Sequence, residues 1–305
     1  MNYRRDKLER LARVAHLYYE EDKTQGEIAE LMCVSRPLVS RMLNEARNLG
    51  IVEIRVHSPA HSAESLAEWM CRTYGLRSSM LVAGEESDDI TNYTMAKRLL
   101  TYIEDQKPTV VGVGWGTVIG IAAKMLERVP VHRNSIQALC PLLGNCNVLS
   151  RQYHSDENVR MLAEAYDAQP VFLHAPAYYS SEADAKRMRE TQQYKNVVSQ
   201  WEKLDLAVVE IHDDSIIDRT GYLCQEKAVG YAAGYGVDVD GKVIPLTYSI
   251  MRIPLHMLEQ CSRVIGICAA GTSAQAVDGI LRSGLITDVL AQDAMAEQLL
   301  RETDE

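Results

Sequence analysis

The chain has 305 residues, 47% of them apolar and 24% charged, enough for a small module beside an α/β domain of ordinary size. No apolar run approaches the roughly 18 residues that span a bilayer, and the start MNYRRDKLER lacks the apolar core of a signal peptide, so a cytoplasmic protein without a membrane partner is expected. A net charge of −10 excludes a nucleic-acid partner unless the charge is segregated along the chain.

The charge is segregated. Residues 1–57 hold 10 Lys+Arg against 9 Asp+Glu, whereas the remainder holds 22 against 33. Only the N-terminal piece can approach a phosphate backbone without strong repulsion. The seven cysteines are odd in number and show no CxxC pair or Cys/His spacing of a zinc site, so neither a metal nor a cofactor is expected.

In chain order, residues 6–22 place Leu8, Leu11, Ala15, Leu17 and Tyr18 near one helical face. Thr24 caps a second helix, with Glu27 closing a capping box and Ile28, Ala29 and Met32 pointing inward. Ser35 caps a third helix, SRPLVSRMLNEARNL, whose first turn tolerates Pro37 because that N–H has no helical partner anyway. Two helices joined so tightly cross steeply and need a small residue at the contact, which Ala29 supplies. The turn position that commonly holds glycine is Cys33, so this turn is expected to form without free access to positive φ. Val34, Val39 and Met42 complete the apolar spacing of a helix-turn-helix. In such a module the first turns of the third helix enter the major groove of double-stranded DNA. That points to Ser35, Arg36, Pro37, Ser40, Arg41 and Asn44 as the reading face, with Gln25 holding a phosphate. The alternating segment IVEIRVHS then reads as the strand of a wing, ending a DNA-binding domain of residues 1–57.

From residue 58 to 305 strands alternate with helices. Short strands are expected at Met80–Val82, Thr109–Val113, Ser135–Leu139, Leu204–Ile211 and Val264–Ala269, and Val171–His174 reads as extended. Helices are expected after the Ser/Pro/Ala break at 58, and at Asn92–Asp105, Thr117–Leu126, Glu157–Tyr166, Ala274–Leu281 and Asp293–Arg301. This pattern implies a doubly wound α/β domain, in which ligands bind beyond the carboxyl ends of the strands. Two loops fall there: GVGWGT (112–117) and AAGTSAQ (269–275). Glycine loops of this kind expose backbone N–H groups at a helix N-terminus and favour anions. The first is not a dinucleotide fingerprint, because Thr117 stands where the third glycine belongs, and no Walker A sequence is present.

The run LARVAHLYYEEDKTQGEIAELMCVSRPLVSRMLNEARNLGIVEI, then GVGWGT, CPLLGN, AVGY with GVDVDGKVI, and VIGICAAGTSAQAVDGILRSGLITD occur in an order and spacing that resemble the SorC family of bacterial sugar-responsive regulators over nearly the whole chain. The resemblance implies an effector domain similar to sugar-phosphate isomerases, a homo-oligomer (dimer or tetramer), and an operator whose binding is altered by a small carbohydrate. Carried onto this sequence, it places the effector pocket at Gly114, Trp115, Gly116 and Thr117, with Asp238 on sugar hydroxyls and Ala270, Gly271, Thr272 and Ser273 on the phosphate end. Asn145, His154 and Asp156 adjoin it. Asp238 also fits a plain turn residue in DVDG, and His154 an ordinary surface histidine.

This sequence departs from that pattern in two places. Ser273 stands where many relatives carry a phosphate-pairing lysine, and EIHDD (210–214) replaces Gly-Ile-Gly. Losing a cation and gaining Asp213 and Asp214 both disfavour a phosphate dianion, so an unphosphorylated sugar or polyol competes with a phosphosugar as the expected effector. Two other readings stay open: an isomerase-like enzyme carrying a DNA-binding module, and a helix-turn-helix used only for protein contacts. Against the first, no nucleophile–base or His–carboxylate pair can be placed at the glycine loops, and no catalytic residue is assigned.

Overall fold

The computed structural model describes residues 2–19, 21, 23–48, 51–52, 62–127, 135–214, 227–245 and 249–304; the side chains of 2–9, 47, 48 and 304 are not among those described. The chain divides into two compact units, Met1–Pro59 and Ala60–Glu305.

The first unit holds α1 (Asn2–Tyr19), α2 (Gln25–Leu31) and α3 (Arg36–Asn48). Thr24 caps α2 as its sequence requires: its hydroxyl accepts from the Glu27 N–H, and its own N–H donates to the Glu27 carboxylate at 2.8 Å. The Ser35 carbonyl accepts from the N–H groups of Leu38 and Val39, opening α3. Leu11, Ala15, Leu17, Ile28, Ala29, Val39 and Met42 are buried in one core, with Tyr18, Met32 and Val34 packed on it. The α2–α3 turn corrects one expectation. Cys33 does adopt positive φ, at +52°, so the turn takes the left-handed geometry and accepts the Cβ strain that glycine would avoid. Ile51 and Val52 form a bend held on the Ala46 carbonyl and pack on this core, so a strand does not begin at Ile51. The remainder of the expected wing strand, with Arg55 and the boundary at His57, and the side chain of Leu8, lie outside the described residues.

The second unit is built on seven parallel strands in the order β1 (Ser78–Val82), β11 (Asp288–Gln292), β10 (Arg263–Ile267), β6 (Leu206–Glu210), β2 (Val110–Val113), β3 (Ala138–Pro141), β4 (Gln169–Pro170). Side chains alternate between faces, and both faces are buried. Val111, Val113, Leu206, Val208, Ile265, Ile267 and Leu290 meet α5 (Asp88–Gln106), α6 (Thr117–Leu126) and α7 (Ser155–Tyr166). Val110, Ala207, Val209, Val264, Val289 and Ala291 face the opposite core, which collects α4 (Ala63–Tyr74), α8 (Glu182–Arg189), α9 (Gln192–Trp201), α10 (Leu255–Gln260), α11 (Ala274–Arg282) and α12 (Asp293–Asp304). Burial on both sides is why these strands read as continuous apolar runs instead of alternating ones. Two short antiparallel pairs, β5 (Tyr178–Tyr179) with β9 (Ser249–Ile250) and β7 (Gly230–Ala232) with β8 (Tyr235–Val237), lie outside the main sheet.

The 171–174 segment is a second correction. The strand there is only Gln169–Pro170, because the N–H groups of Leu173 and His174 turn to the Asp156 carboxylate, each at 2.8 Å, and not to a neighbouring strand. From β2 the chain steps to β3 and β4 on one side, while β6, β10 and β11 proceed on the other. The strand order therefore reverses between β2 and β6, and a crevice opens above their carboxyl ends.

Among the described residues no helix is long and apolar enough to cross a membrane.

Candidate functional site

The crevice at the β2–β6 junction is lined by Gly114, Trp115, Leu143, Val209, Glu210, His212, Ala233 and Gly234. Its cavity volume is ≈ 10 Å³, room for about one water and far below the roughly 300–1,000 Å³ of most small-molecule pockets. Trp115 and His212 fill much of it. Their rings stack at 4.8 Å and 19°, and the Tyr153 ring stands edge-on to Trp115 at 5.7 Å. His212 lies with a ring nitrogen 3.3 Å from the Trp115 carbonyl. Burial pulls its pKa down to about 4, so the ring is neutral near pH 7.

Glu210, the last residue of β6, is 3% exposed and turns its carboxylate onto the first turn of α6. One oxygen accepts from the Thr117 N–H at 2.7 Å, and the other from Val118 at 2.8 Å and Ile119 at 3.4 Å. Burial pushes its pKa up to about 7, against the three N–H donors that hold it down. Gly116 makes this approach possible. Its backbone sits at φ +154°, ψ 176°, a region almost confined to glycine, and a Cβ there would lie 2.3 Å from the Glu210 carboxyl carbon. The amides that the glycine loop was expected to offer to an anion are thus already held by one from within the protein. Two more loop amides are held too: Gly114 donates to the Val208 carbonyl and Gly116 to that of Gln152.

The second loop follows β10, the neighbour of β6. Ala270 donates its N–H to Asn92 Oδ1 at 2.8 Å, Thr272 donates to the Ala269 carbonyl, and Ser273 donates to Asp213 Oδ2 at 3.0 Å. The Ser273 hydroxyl caps α11 by accepting from Ala276. One strand end, residues 210–213, therefore sends a carboxylate to each loop.

The remaining candidates divide. Asn145 and Asp156 bond to each other twice, through Nδ2 to Oδ2 at 2.8 Å and Oδ1 to the Asp156 N–H at 3.1 Å. With the two amides of Leu173 and His174, Asp156 is a buried clasp across the 145 and 173 loops. His154 places Nε2 2.6 Å from the Val148 carbonyl. Asp238 turns Oδ1 onto the N–H groups of Asp240 and Lys242 in its own turn. Its carbonyl lies beside Gly279, more than a helical turn along α11 from Ser273. Residues that sequence reasoning did not name are Glu210, His212 and Asn158. Asn158 is buried and donates to the Gly114 and Gln152 carbonyls, pinning the first loop.

On the first unit, Arg36, Pro37, Arg41 and Asn44 are exposed on α3, while Ser40 is half-buried. Arg36 and Gln25 share an open cleft with Tyr18, Tyr19, Lys23, Thr24 and Gly26. That cleft brings two cationic side chains beside the α2 N-terminus.

Residues 58–301 match the Sugar-bind family, whose description is "Putative sugar-binding domain". The chain is 27% identical over 308 residues to the deoxyribonucleoside regulator of Bacillus subtilis (strain 168), covering 95% of this chain and 96% of that protein. It is 23% identical to the sorbitol operon regulator of Klebsiella pneumoniae, covering 97% and 99%. The crystal structure of the full-length sorbitol operon regulator SorC from Klebsiella pneumoniae superposes with a TM-score of 0.67 at 20% identity, covering 97% of this chain and 99% of that one.

Proposed function

Because the chain belongs to the Sugar-bind family, we propose that it is a DNA-binding transcriptional regulator of the SorC type whose operator binding is controlled by a small carbohydrate. The observation that carries this reading is the joining, in one chain, of a helix-turn-helix unit with a basic, exposed third helix and a domain of that family. Residues 1–57 form the DNA-binding domain and 58–305 the effector domain, similar in design to sugar-phosphate isomerases. Ser35, Arg36, Pro37, Ser40, Arg41 and Asn44 read bases, and Gln25 holds a phosphate. Arginine forks onto guanine and asparagine onto adenine, each contact worth about 1–3 kcal/mol of discrimination. Two or four copies multiply the small footprint of one module, so the protein acts as a homo-oligomer. It regulates and does not catalyse, in keeping with the regulator names of its relatives.

The effector pocket lies at Gly114, Trp115, Gly116, Thr117 and the Ala270–Ser273 loop. There an aromatic face can pack sugar C–H groups, once His212 moves from Trp115. Selection from a random duplex pool tests the reading. A short motif with repeated half-sites should be enriched, and its affinity should fall steeply with salt. Salt-insensitive binding, or no binding, overturns it. Sugars and polyols added to the bound complex then identify the effector by the change in affinity.

A further inference from the structure

We propose that Glu210 and Asp213 set the effector class of this domain: their carboxylates occupy, from inside the protein, the places where a ligand's phosphate would meet the two loops, and the effector is an unphosphorylated sugar or polyol. The proposal rests on the carbohydrate-sensor reading above and names the chemistry that reading leaves open.

The geometry argues it at both loops. Backbone N–H groups at a helix start attract anions, and a free phosphate or phosphosugar would engage several of them at once. At α6 the three candidate N–H groups, those of Thr117, Val118 and Ile119, all point at the Glu210 carboxylate. At the second loop the Ser273 N–H points at Asp213. A phosphate entering the first place would have to displace the buried Glu210 side chain from its three N–H groups, and one entering the second would sit against Asp213. Among the described residues lining the crevice none is Lys or Arg to offset this, and His212 is uncharged near pH 7. Arg252, behind Gly234, is committed to the Gly234 carbonyl and the face of the Tyr235 ring.

The fit of Gly116 shows that the Glu210 seat is built and not incidental. The loop approaches so closely that only a residue without Cβ leaves room for the carboxylate. A neutral polyhydroxylated ligand, by contrast, needs no anion seat and meets no repulsion from these carboxylates.

The test is calorimetric titration of the full-length protein, its E210G and E210Q variants and D213A, with inorganic phosphate. Paired titrations of the wild type with ribose and ribose 5-phosphate, and with glucose and glucose 6-phosphate, complete it. Wild type and E210Q, whose side chain still fills the seat, should bind phosphate weakly and alike. E210G, confirmed as folded by circular dichroism, should bind it at least tenfold more tightly, and D213A at least threefold. Should E210G fail to fold, D213A and the sugar pairs still decide. Phosphate affinity in D213A or folded E210G no higher than in the wild type overturns the proposal. So does a wild-type preference of tenfold or more for either phosphosugar over its parent sugar. If no sugar of any kind is bound or alters DNA affinity, the carbohydrate-sensor reading fails, while a phosphate gain in E210G still shows that the seat is as described.

Discussion

Replacing Glu210 by glutamine should change how stability depends on pH, and the size of the change follows from two buried groups. Glu210 carries a pKa of about 7 in the fold against 4.5 for an ordinary carboxyl. The folded state thus holds a proton that the unfolded chain has released over that interval. Its contribution is fully present below 4.5 and is lost as pH rises through about 7. Integrated between pH 5 and pH 8, this loss amounts to about 2.5 kcal/mol, since each tenfold change in proton affinity is worth about 1.36 kcal/mol. His212 acts in the opposite sense. Its pKa falls to about 4 from 6.5, so its contribution is present above 6.5 and is lost as pH falls through 4. Over the same interval that is a gain of about 2 kcal/mol with rising pH. The two nearly cancel in the wild type. In E210Q only the histidine remains, so the variant's stability should rise by about 2 kcal/mol from pH 5 to pH 8, a gain of about 2.5 kcal/mol over the wild type, in which this pair falls by about 0.5 kcal/mol. The carboxylates with lowered pKa, such as the half-buried Glu157 and the exposed Glu182, are common to both proteins and cancel in the difference. Urea unfolding followed by tryptophan fluorescence reads the relevant unit, since Trp69, Trp115 and Trp201 all lie in it. A gap between wild type and E210Q that stays constant from pH 5 to pH 8 would refute the electrostatic account of this site.

Three further outcomes are expected. Cys33→Gly removes a Cβ from a left-handed residue and should stabilise the first unit by about 1 kcal/mol, read from its own melting transition. Gly116→Ala drives a methyl into the Glu210 carboxylate and out of an allowed backbone region, which should cost about 3 kcal/mol in urea unfolding of the second unit. Asp288 is fully buried, ion-paired to Arg263 at 2.9 Å and accepting from Ser78 and Thr287, so Asp288→Ala should cost about 3 kcal/mol by the same measurement.

Much of this fold is written in local patterns. The Thr24–Glu27 box and the apolar spacing of α1 to α3 act within a few residues, so they declare the helix-turn-helix directly. The strand cores VVGV, LAVV and VIGI announce themselves because both faces of the sheet are covered. What stayed hidden depends on distance or on exceptions to local rules. The β7–β8 hairpin turns through Ala233 at φ +48° followed by Gly234, and alanine does not advertise a left-handed position. Strand β11 begins on Asp288, whose charge disguises it until Arg263 and Ser78 arrive from other strands. Glu210 looks like the polar end of an apolar run, and the amides that explain it lie more than ninety residues earlier in the chain.

The position of β6 gives that hidden residue its wider consequence. Because β6 runs between β2 and β10, its last residues touch the loops that follow both neighbours. Glu210 fixes the start of α6, His212 covers Trp115, and Asp213 holds the loop before α11. A cavity of ≈ 10 Å³ does not admit a sugar until the His212 ring leaves Trp115, and an aromatic stack of this kind is worth only about 0.5–1.5 kcal/mol. His212 cannot travel far without moving the backbone shared with Glu210 and Asp213. Occupying the crevice therefore perturbs the N-termini of two helices together, on opposite faces of the sheet, through a segment of four residues. A phosphate seated on these amides would have to break the very bonds that couple the loops, whereas a neutral ligand can displace the ring and shift both carboxylates together with the amides they hold.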